Sequence, residues 1–157
     1  MRFKLIEISA IKKAKENLKN VVIESPLQKS HRYSELHNSS IHLKREDLQK
    51  VRSFKIRGAY NKISSLSEKE KIDGVVCSSA GNHAQGVAQS CNKLKINGVI
   101  YMPTITPKQK VAQVKMFGGK FIEVRLHGDT YDDAYEAAIE YCENSQKNFI
   151  HPFDDLS

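Results

Sequence analysis

The sequence of 157 residues has no tryptophan, only four prolines and eight glycines, and no long apolar run. No stretch approaches the roughly 20 apolar residues that cross a bilayer, and residues 1–4 lead into charged residues without a secretory apolar segment. The scarcity of glycine and proline excludes collagen-like and low-complexity chains. With 39% hydrophobic and 27% charged residues, the chain has the composition of about one globular domain. We therefore expect a cytoplasmic protein without membrane contact.

The chain also has little cysteine, and its surplus of positive charge is not concentrated anywhere. Twenty-five basic and 18 acidic residues give a net charge of +7, but acidic residues lie close to most of the basic ones. Because no basic stripe with interleaved aromatics appears, a nucleic-acid-binding module is disfavoured. The three cysteines, Cys77, Cys91 and Cys142, form no CxxC pair or zinc-type cluster. We expect reduced thiols and no metal site.

From Gly74 onward, short apolar runs alternate regularly with helical patterns. Helices are predicted after Gly81, after Thr106 and after Asp129 or Thr130, each with apolar residues on one face. Strands are predicted at 75–77, 98–102, 121–124 and 149–150. This order is typical of right-handed crossovers between parallel strands. The sequence predicts an α/β fold with an open parallel sheet of about four strands and flanking helices.

Residues 1–73 follow a less regular pattern. Helical spacing over 7–20 places Ile8, Ile11, Ala14 and Leu18 on one face, and 41–44 alternates like a short strand. Ser53 is predicted to cap the next helix, and 67–70 has the spacing of a capping box. These helix faces have no evident partner within the segment, which indicates part of a larger unit.

Lys55 is the first candidate for chemistry, in the segment 53–59 (Ser-Phe-Lys-Ile-Arg-Gly-Ala). It falls in the first turn of a predicted helix, where the helix dipole and the neighbouring Arg52 and Arg57 disfavour an ammonium ion. A neutral amine is what Schiff-base chemistry requires. A solvated surface lysine is the simpler interpretation from local sequence alone.

The second candidate is the segment 78–86, which lies between a predicted strand and helix. Small residues there can bring backbone N–H groups and a helix N-terminus against a carboxylate or phosphate. Ser79 could add a hydroxyl and Asn82 an amide, although both could simply cap the helix. His83 by itself is more often a helix N-terminal residue than a ligand. The segment has neither the Walker nor the Rossmann glycine pattern.

A third segment, Lys-Arg-Glu-Asp at 44–47, reads alone as an ion-paired strand terminus. Together, however, the segments resemble the fold-type II (tryptophan synthase β-like) pyridoxal-phosphate enzymes, and most closely the threonine dehydratase (threonine deaminase) group. The similarity covers nearly the whole chain, in the family order. It rests on Ser-Pro-Leu (25–27), Lys-Arg-Glu-Asp (44–47), Ser-Phe-Lys-Ile-Arg-Gly-Ala (53–59), Ser-Ala-Gly-Asn-His-Ala-Gln-Gly (79–86) and His-Pro-Phe-Asp (151–154).

The resemblance implies a role for each matching residue. Lys55 would form the Schiff base with pyridoxal 5′-phosphate, Phe54 would pack on the pyridine ring, and Asn82 would bind the cofactor's 3′ oxygen. The substrate carboxylate would be bound by the loop of Ser79, Ala80, Gly81, Asn82 and His83. Lys55 would then act as the base at Cα, converting L-threonine to 2-oxobutanoate, or L-serine to pyruvate, with release of ammonia.

The resemblance also implies what the 157 residues omit. The family's glycine-rich phosphate loop, its partner for the pyridine nitrogen and any isoleucine-binding regulatory domain would lie beyond residue 157. By the family architecture, 1–73 opens the large domain, 74–151 is the small domain, and 152–157 begins the return to the large domain. We expect the full-length enzyme to be a homo-oligomer and this stretch alone to be inactive.

Three alternatives stay open beside a threonine dehydratase. A serine racemase of this fold would carry an acid/base serine where this chain has Ala80, which disfavours racemisation. A serine-preferring dehydratase and a non-catalytic remnant of a split dehydratase remain possible on sequence. The sequence does not distinguish a biosynthetic role in isoleucine formation from a catabolic one.

Overall fold

The computed structural model describes residues 6–153. Its N-terminal part contains four α-helices, a short 3-10 helix at Glu46–Leu48 and a two-stranded antiparallel sheet in which Leu27 lies opposite Lys44. The elements are α1 (Ile8–Asn17), β1 (Leu27–Lys29), α2 (His31–Leu36), β2 (His42–Lys44), α3 (Lys55–Ser64) and α4 (Glu68–Asp73). The predicted helix and strand are confirmed with shorter bounds, whereas β1 was not predicted. All six residues of the two strands are exposed.

Of the two helix caps predicted in this part, only one is present in the structure. The capping box at α4 is confirmed, with Ser67 and Glu70 each satisfying the other's backbone N–H. The predicted cap at Ser53 is wrong, because α3 begins at Lys55 after Phe54, with no side-chain cap. The Ser53 hydroxyl is buried and has no hydrogen-bond partner within residues 6–153.

The second part contains the predicted parallel sheet. Its elements are β3 (Val75–Ser78), α5 (Asn82–Leu94), β4 (Gly98–Met102), α6 (Lys108–Gly118), β5 (Ile122–Leu126), α7 (Tyr131–Ser145) and β6 (Asn148–Phe149). The strand order is β5-β4-β3-β6, and each neighbouring pair is parallel. The α/β fold with four parallel strands is therefore confirmed.

Local signals define two of the helix ends in this part. Thr130 caps α7 in a reciprocal box with Asp133. Gly119, the residue after the last residue of α6, caps that helix with a φ of 55°, in the left-handed region. The predicted threonine cap of α6 is wrong: Pro107 is the capping residue, and the Thr106 hydroxyl is buried without a partner among the described residues.

Both faces of the sheet are covered. On one face, Val76, Val99 and Tyr101 pack against Ala134 and Ala138 of α7. The opposite face packs on α5 and α6, and the same cluster includes side chains of α3 and the turn after it. Those side chains are Ala59, Ile63 and Leu66. Since α3 shares this core, its first residue is held close to α5; the division into domains at residue 74 stays a prediction.

The described residues contain no helix both long and apolar enough to cross a membrane. They also contain no group of three or more His, Cys, Asp or Glu side chains placed to hold a metal ion. All three cysteines are free thiols, and Cys77 and Cys91 are buried.

Candidate active site

The backbone of Lys55 lies against α5 at Gly86. A Cβ atom built at Gly86 would come within 3.0 Å of the carbonyl carbon and oxygen of Lys55 and within 3.2 Å of the Ile56 nitrogen. Only a residue without a side chain permits α3 and α5 to approach this closely without displacement. Gly86 therefore sets the position of Lys55, a role that sequence reasoning missed although Gly86 belongs to the conspicuous 78–86 segment.

The amine of Lys55 lies close to a carbonyl group and two aromatic rings. Its Nζ donates a hydrogen bond to the Pro152 carbonyl oxygen at 2.6 Å. It also lies 5.6 Å from the ring centroid of Phe54 and 5.1 Å from that of Phe153, within the range of cation–π attraction. The amine is thus held between two aromatic rings by a carbonyl 97 residues away in the chain.

A cavity of about 260 Å³ opens beside this amine. Its walls include Phe54, Lys55 and His83, together with residues 150–153 that follow the last strand. Of the residues predicted from the sequence, these three are brought together around one cavity. Ser79, Ala80, Gly81 and Asn82 do not line it.

The imidazole of His83 is buried and faces the end of the sheet. Its Nε2 lies 3.0 Å from the carbonyl oxygen of Ile150, and since a carbonyl only accepts, Nε2 is the donor. Burial lowers the pKa of His83 to about 4. The charges of Lys55 and His151 act in the same direction, and the bond to Ile150 opposes them. The ring is therefore neutral near pH 7, and its side chain holds residue 150.

Ser79, Ala80 and Gly81 connect the carboxyl end of β3 to α5, which begins at Asn82. Gly81 donates its N–H to the Ser79 hydroxyl at 3.2 Å, and α5 begins without a side-chain cap. The alternative in which Ser79 or Asn82 merely caps the helix is thus not what the structure shows.

The end of this loop, where α5 begins, is open to solvent. Asn82 is exposed, and a Cβ at Gly81 would meet nothing within 4 Å. An uncapped helix N-terminus beside open space can receive a carboxylate, because its first N–H groups carry partial positive charge. The carboxylate role of the loop and the role of Asn82 toward the cofactor stay predictions.

The 44–47 segment is tied to α3 through an ion pair. Arg57 places Nη2 2.7 Å from Oε1 and Nε 2.8 Å from Oε2 of Glu46, a bidentate arrangement. The Arg57 guanidinium lowers the pKa of Glu46 to about 2, against the effect of burial, and the Ser25 hydroxyl adds to the lowering. Two turn segments are thereby joined to the helix that carries Lys55. The predicted ion-paired strand terminus is confirmed, with Arg57 as a partner that sequence reasoning did not identify.

The residues present fit the pyridoxal phosphate that the sequence predicted. A primary amine stands at a cavity, and the exposed ring of Phe54 lies beside it. A helix N-terminus without a cap begins on the neighbouring loop. An amine, an aromatic face and an anion-receptive turn are the groups that a conjugated aldehyde carrying an amino acid requires.

Comparisons with known proteins agree with this chemistry. A family model described as pyridoxal-phosphate dependent enzyme matches residues 18–157. The biosynthetic L-threonine dehydratase of Bacillus subtilis is 58% identical over 151 residues, which are 96% of this chain and 36% of the relative. The chain thus spans about a third of the length of such curated relatives.

Solved structures show the same likeness. The processed form of threonine deaminase isoform 2 from Solanum lycopersicum superposes with a TM-score of 0.83 at 40% identity, covering 96% of this chain and 44% of that one. Maize serine racemase gives a TM-score of 0.88 at 28% identity, covering 97% and 45%.

Proposed function

Because the chain belongs to the family of pyridoxal-phosphate dependent enzymes, we propose that it forms the lysine-bearing third of a threonine dehydratase. The whole enzyme would convert L-threonine to 2-oxobutanoate and ammonia, and L-serine to pyruvate. The observation that carries the proposal is the amine of Lys55, held at a cavity between Phe54 and Phe153. The 58% identity to a threonine dehydratase supports the choice of reaction.

Lys55 has two tasks in this proposal. When bound, pyridoxal phosphate withdraws electrons from the Cα of an attached amino acid and makes its proton acidic. Lys55 Nζ would hold the cofactor before the substrate arrives, and it would afterwards take the Cα proton as a base. The position of Nζ is set by Gly86 at the backbone of Lys55 and by the Pro152 carbonyl at its tip.

The loop from Ser79 to His83 would bind the substrate carboxylate. Its N–H groups lie at the positive end of α5, a helix of 13 residues that starts without a side-chain cap. The exposed amide of Asn82 would donate to the ring oxygen of the cofactor, and the ring of Phe54 would stack on the pyridine. Such contacts would orient the substrate with its Cα–H toward Lys55.

Position 80 supports dehydration over racemisation. Inverting Cα needs one group to remove the proton on one face and another to return a proton on the opposite face. Ala80, directly before Gly81 in this loop, has only a methyl group and no proton to deliver. We therefore prefer loss of the β-hydroxyl, although serine racemases share the fold.

The proposal also includes the metabolic role, the cellular location and the oligomeric state of the enzyme. Curated relatives described as biosynthetic support a place in isoleucine formation. We further propose a cytoplasmic homo-oligomer.

The 157 residues contain no glycine run longer than Gly118-Gly119, so the family's phosphate loop is not among them. Phosphate binding would lose several charge-assisted hydrogen bonds of roughly 1.5–3 kcal/mol each, and we expect no turnover from these residues alone.

A chimera tests the proposal directly. This chain replaces the matching third of the Bacillus subtilis threonine dehydratase, and the product is assayed for 2-oxobutanoate formation from L-threonine. We expect activity, and we expect borohydride reduction with pyridoxal phosphate present to attach the pyridoxyl group to Lys55. Lys55→Ala should lower turnover by roughly a thousandfold or more, since only binding groups remain. Lys69→Ala, at an exposed lysine of α4, is the matched control.

Two results would contradict the assignment. One is a pyridoxyl label on a lysine other than 55. The other is a folded, cofactor-loaded chimera that forms no 2-oxobutanoate while the Bacillus parent does. Circular dichroism of each variant separates loss of chemistry from loss of fold.

A further inference from the structure

Residues 150–153, here called the strap, run from the last strand of the sheet to the cavity beside Lys55. Ile150 donates its N–H to the Val76 carbonyl at 2.8 Å and accepts at its own carbonyl from His83 Nε2 at 3.0 Å. The main chain of the strap is therefore held on one side by the sheet and on the other by a side chain of α5.

The position of the Pro152 carbonyl follows from that attachment. The Pro152 carbonyl lies two positions after the Ile150 carbonyl, and the proline ring fixes one of the intervening backbone torsions. Pro152 is buried and has no N–H with which to make another main-chain hydrogen bond. Its carbonyl oxygen accepts from Lys55 Nζ at 2.6 Å.

We propose that His83 is a positioning residue for Lys55. By donating from Nε2 to the Ile150 carbonyl, His83 holds the strap so that the Pro152 carbonyl holds the Lys55 amine between the rings of Phe54 and Phe153. Its importance for catalysis rests on the proposed function, in which Lys55 bears the cofactor. The contacts themselves do not depend on that function.

The burial of His83 supports this role for its imidazole. The residue is only 6% exposed, so its ring is not available to a ligand in the open loop. Because burial lowers the pKa of His83 to about 4, the ring stays neutral and does not repel the ammonium of Lys55. The hydrogen on Nε2 is then its single donor, and it is used on Ile150.

Three substitutions separate the hydrogen bond from the shape of the ring. Glutamine places its Nε2 the same number of bonds from Cα as the histidine Nε2, so His83→Gln can still donate to Ile150. Asparagine is one bond shorter, so His83→Asn keeps a polar group that does not reach. His83→Leu removes the donor and retains bulk. Gln89→Leu is the matched control, because it removes a buried amide from the same helix, away from the strap.

The readout is the chemical reactivity of Lys55 in the cofactor-free 157-residue chain. Mild reductive methylation followed by peptide mass spectrometry gives the rate at Lys55 relative to the exposed Lys69 of the same sample. A held ammonium reacts slowly, so we expect slow modification in the parent, in His83→Gln and in Gln89→Leu. His83→Leu and His83→Asn should accelerate it about three- to tenfold, the factor that corresponds to one net hydrogen bond.

Equal acceleration in the Gln and Leu variants would overturn the proposal, because ring shape would then matter and not the donor. Unchanged Lys55 reactivity in every folded variant would overturn it as well. If circular dichroism shows that His83→Leu does not fold, the comparison of His83→Asn with His83→Gln decides whether the donor matters. The measurement needs no activity, so a pyridoxyl label at another lysine in the chimera would refute the proposed function and leave this result standing.

Discussion

The two sheets of the molecule differ in how far their strands are buried. Every residue of β3 and β4 is buried, whereas every residue of β1 and β2 is exposed. The buried strands are apolar runs covered by helices on both faces, as is typical of parallel sheets. The exposed pair is an antiparallel ribbon with three residues in each strand, and all six side chains remain exposed.

The same contrast applies to helix faces. The predicted apolar face of the first helix consists of Ile8, Ile11, Ala14 and Leu18, and only Leu18 is buried. Other large apolar side chains of residues 6–48 are also exposed. They are Ile6, Ile23, Leu27, Leu36, Leu43 and Leu48. Helical spacing thus predicts a helix, but whether its apolar face is buried depends on what packs against it.

The largest expected effect tests this contrast with one substitution in each region. Ile100→Ala removes a fully buried side chain of β4 and should cost about 3 kcal/mol through lost burial and a residual cavity. Ile11→Ala, at a side chain that is 57% exposed, should change stability by less than about 0.5 kcal/mol. Denaturant unfolding of both variants gives the two values. Comparable losses would show that the face of α1 is covered in solution.

Acid should weaken the second region through His83. Its folded pKa of about 4 lies below the ordinary 6.5. Between these two values the unfolded chain binds a proton at His83 and the folded chain does not. Stability is therefore fully present above about pH 6.5 and declines as the pH falls toward 4. From pH 7 to pH 5 the contribution amounts to about 2 kcal/mol.

His83→Gln checks this sign, since glutamine does not titrate. Free energies of unfolding measured at pH 7 and pH 5 should fall less in the variant than in the parent, by about 2 kcal/mol. Glu46 titrates in a lower window, because its pKa is about 2, and does not contribute to the difference. An identical fall in both proteins would show that His83 is not buried and neutral.

The smallest expected effect concerns the contact that joins the two regions. Gly86→Ala introduces a Cβ 3.0 Å from the Lys55 carbonyl, so α3 must shift by a few tenths of an ångström, and we expect a loss of about 1 kcal/mol. Gly58→Ala lies on the exposed side of α3 with nothing within 4 Å of the new Cβ. It should gain about 0.5–1 kcal/mol from helix propensity. Thermal unfolding distinguishes the two, and stabilisation by both would mean that the helices are not in close contact at Gly86.

Local sequence was sufficient to predict an element where the residues of that one segment contain the whole pattern for a strand or a helix start. The apolar runs of β3 and β4, the capping box at Ser67 and the helix start at Thr130 all appear where the sequence predicted them. Local sequence did not predict the caps of α3 and α6 correctly. Ser53 and Thr106 are good capping residues by type, yet neither caps a helix. The exposed β1 has no alternating pattern, and only its pairing with β2 makes it a strand.

The sequence by itself therefore determined the parallel α/β fold and, through the resemblance of its segments to a family, led to the prediction that Lys55 is the reactive amine. The tertiary structure alone decided how that amine is held. Pro152, His83 and Gly86 act on Lys55 across gaps of 28 to 97 residues in the chain. No local periodicity encodes such contacts, because they exist only once the crossover helices bring the ends of the strands together at one edge of the sheet.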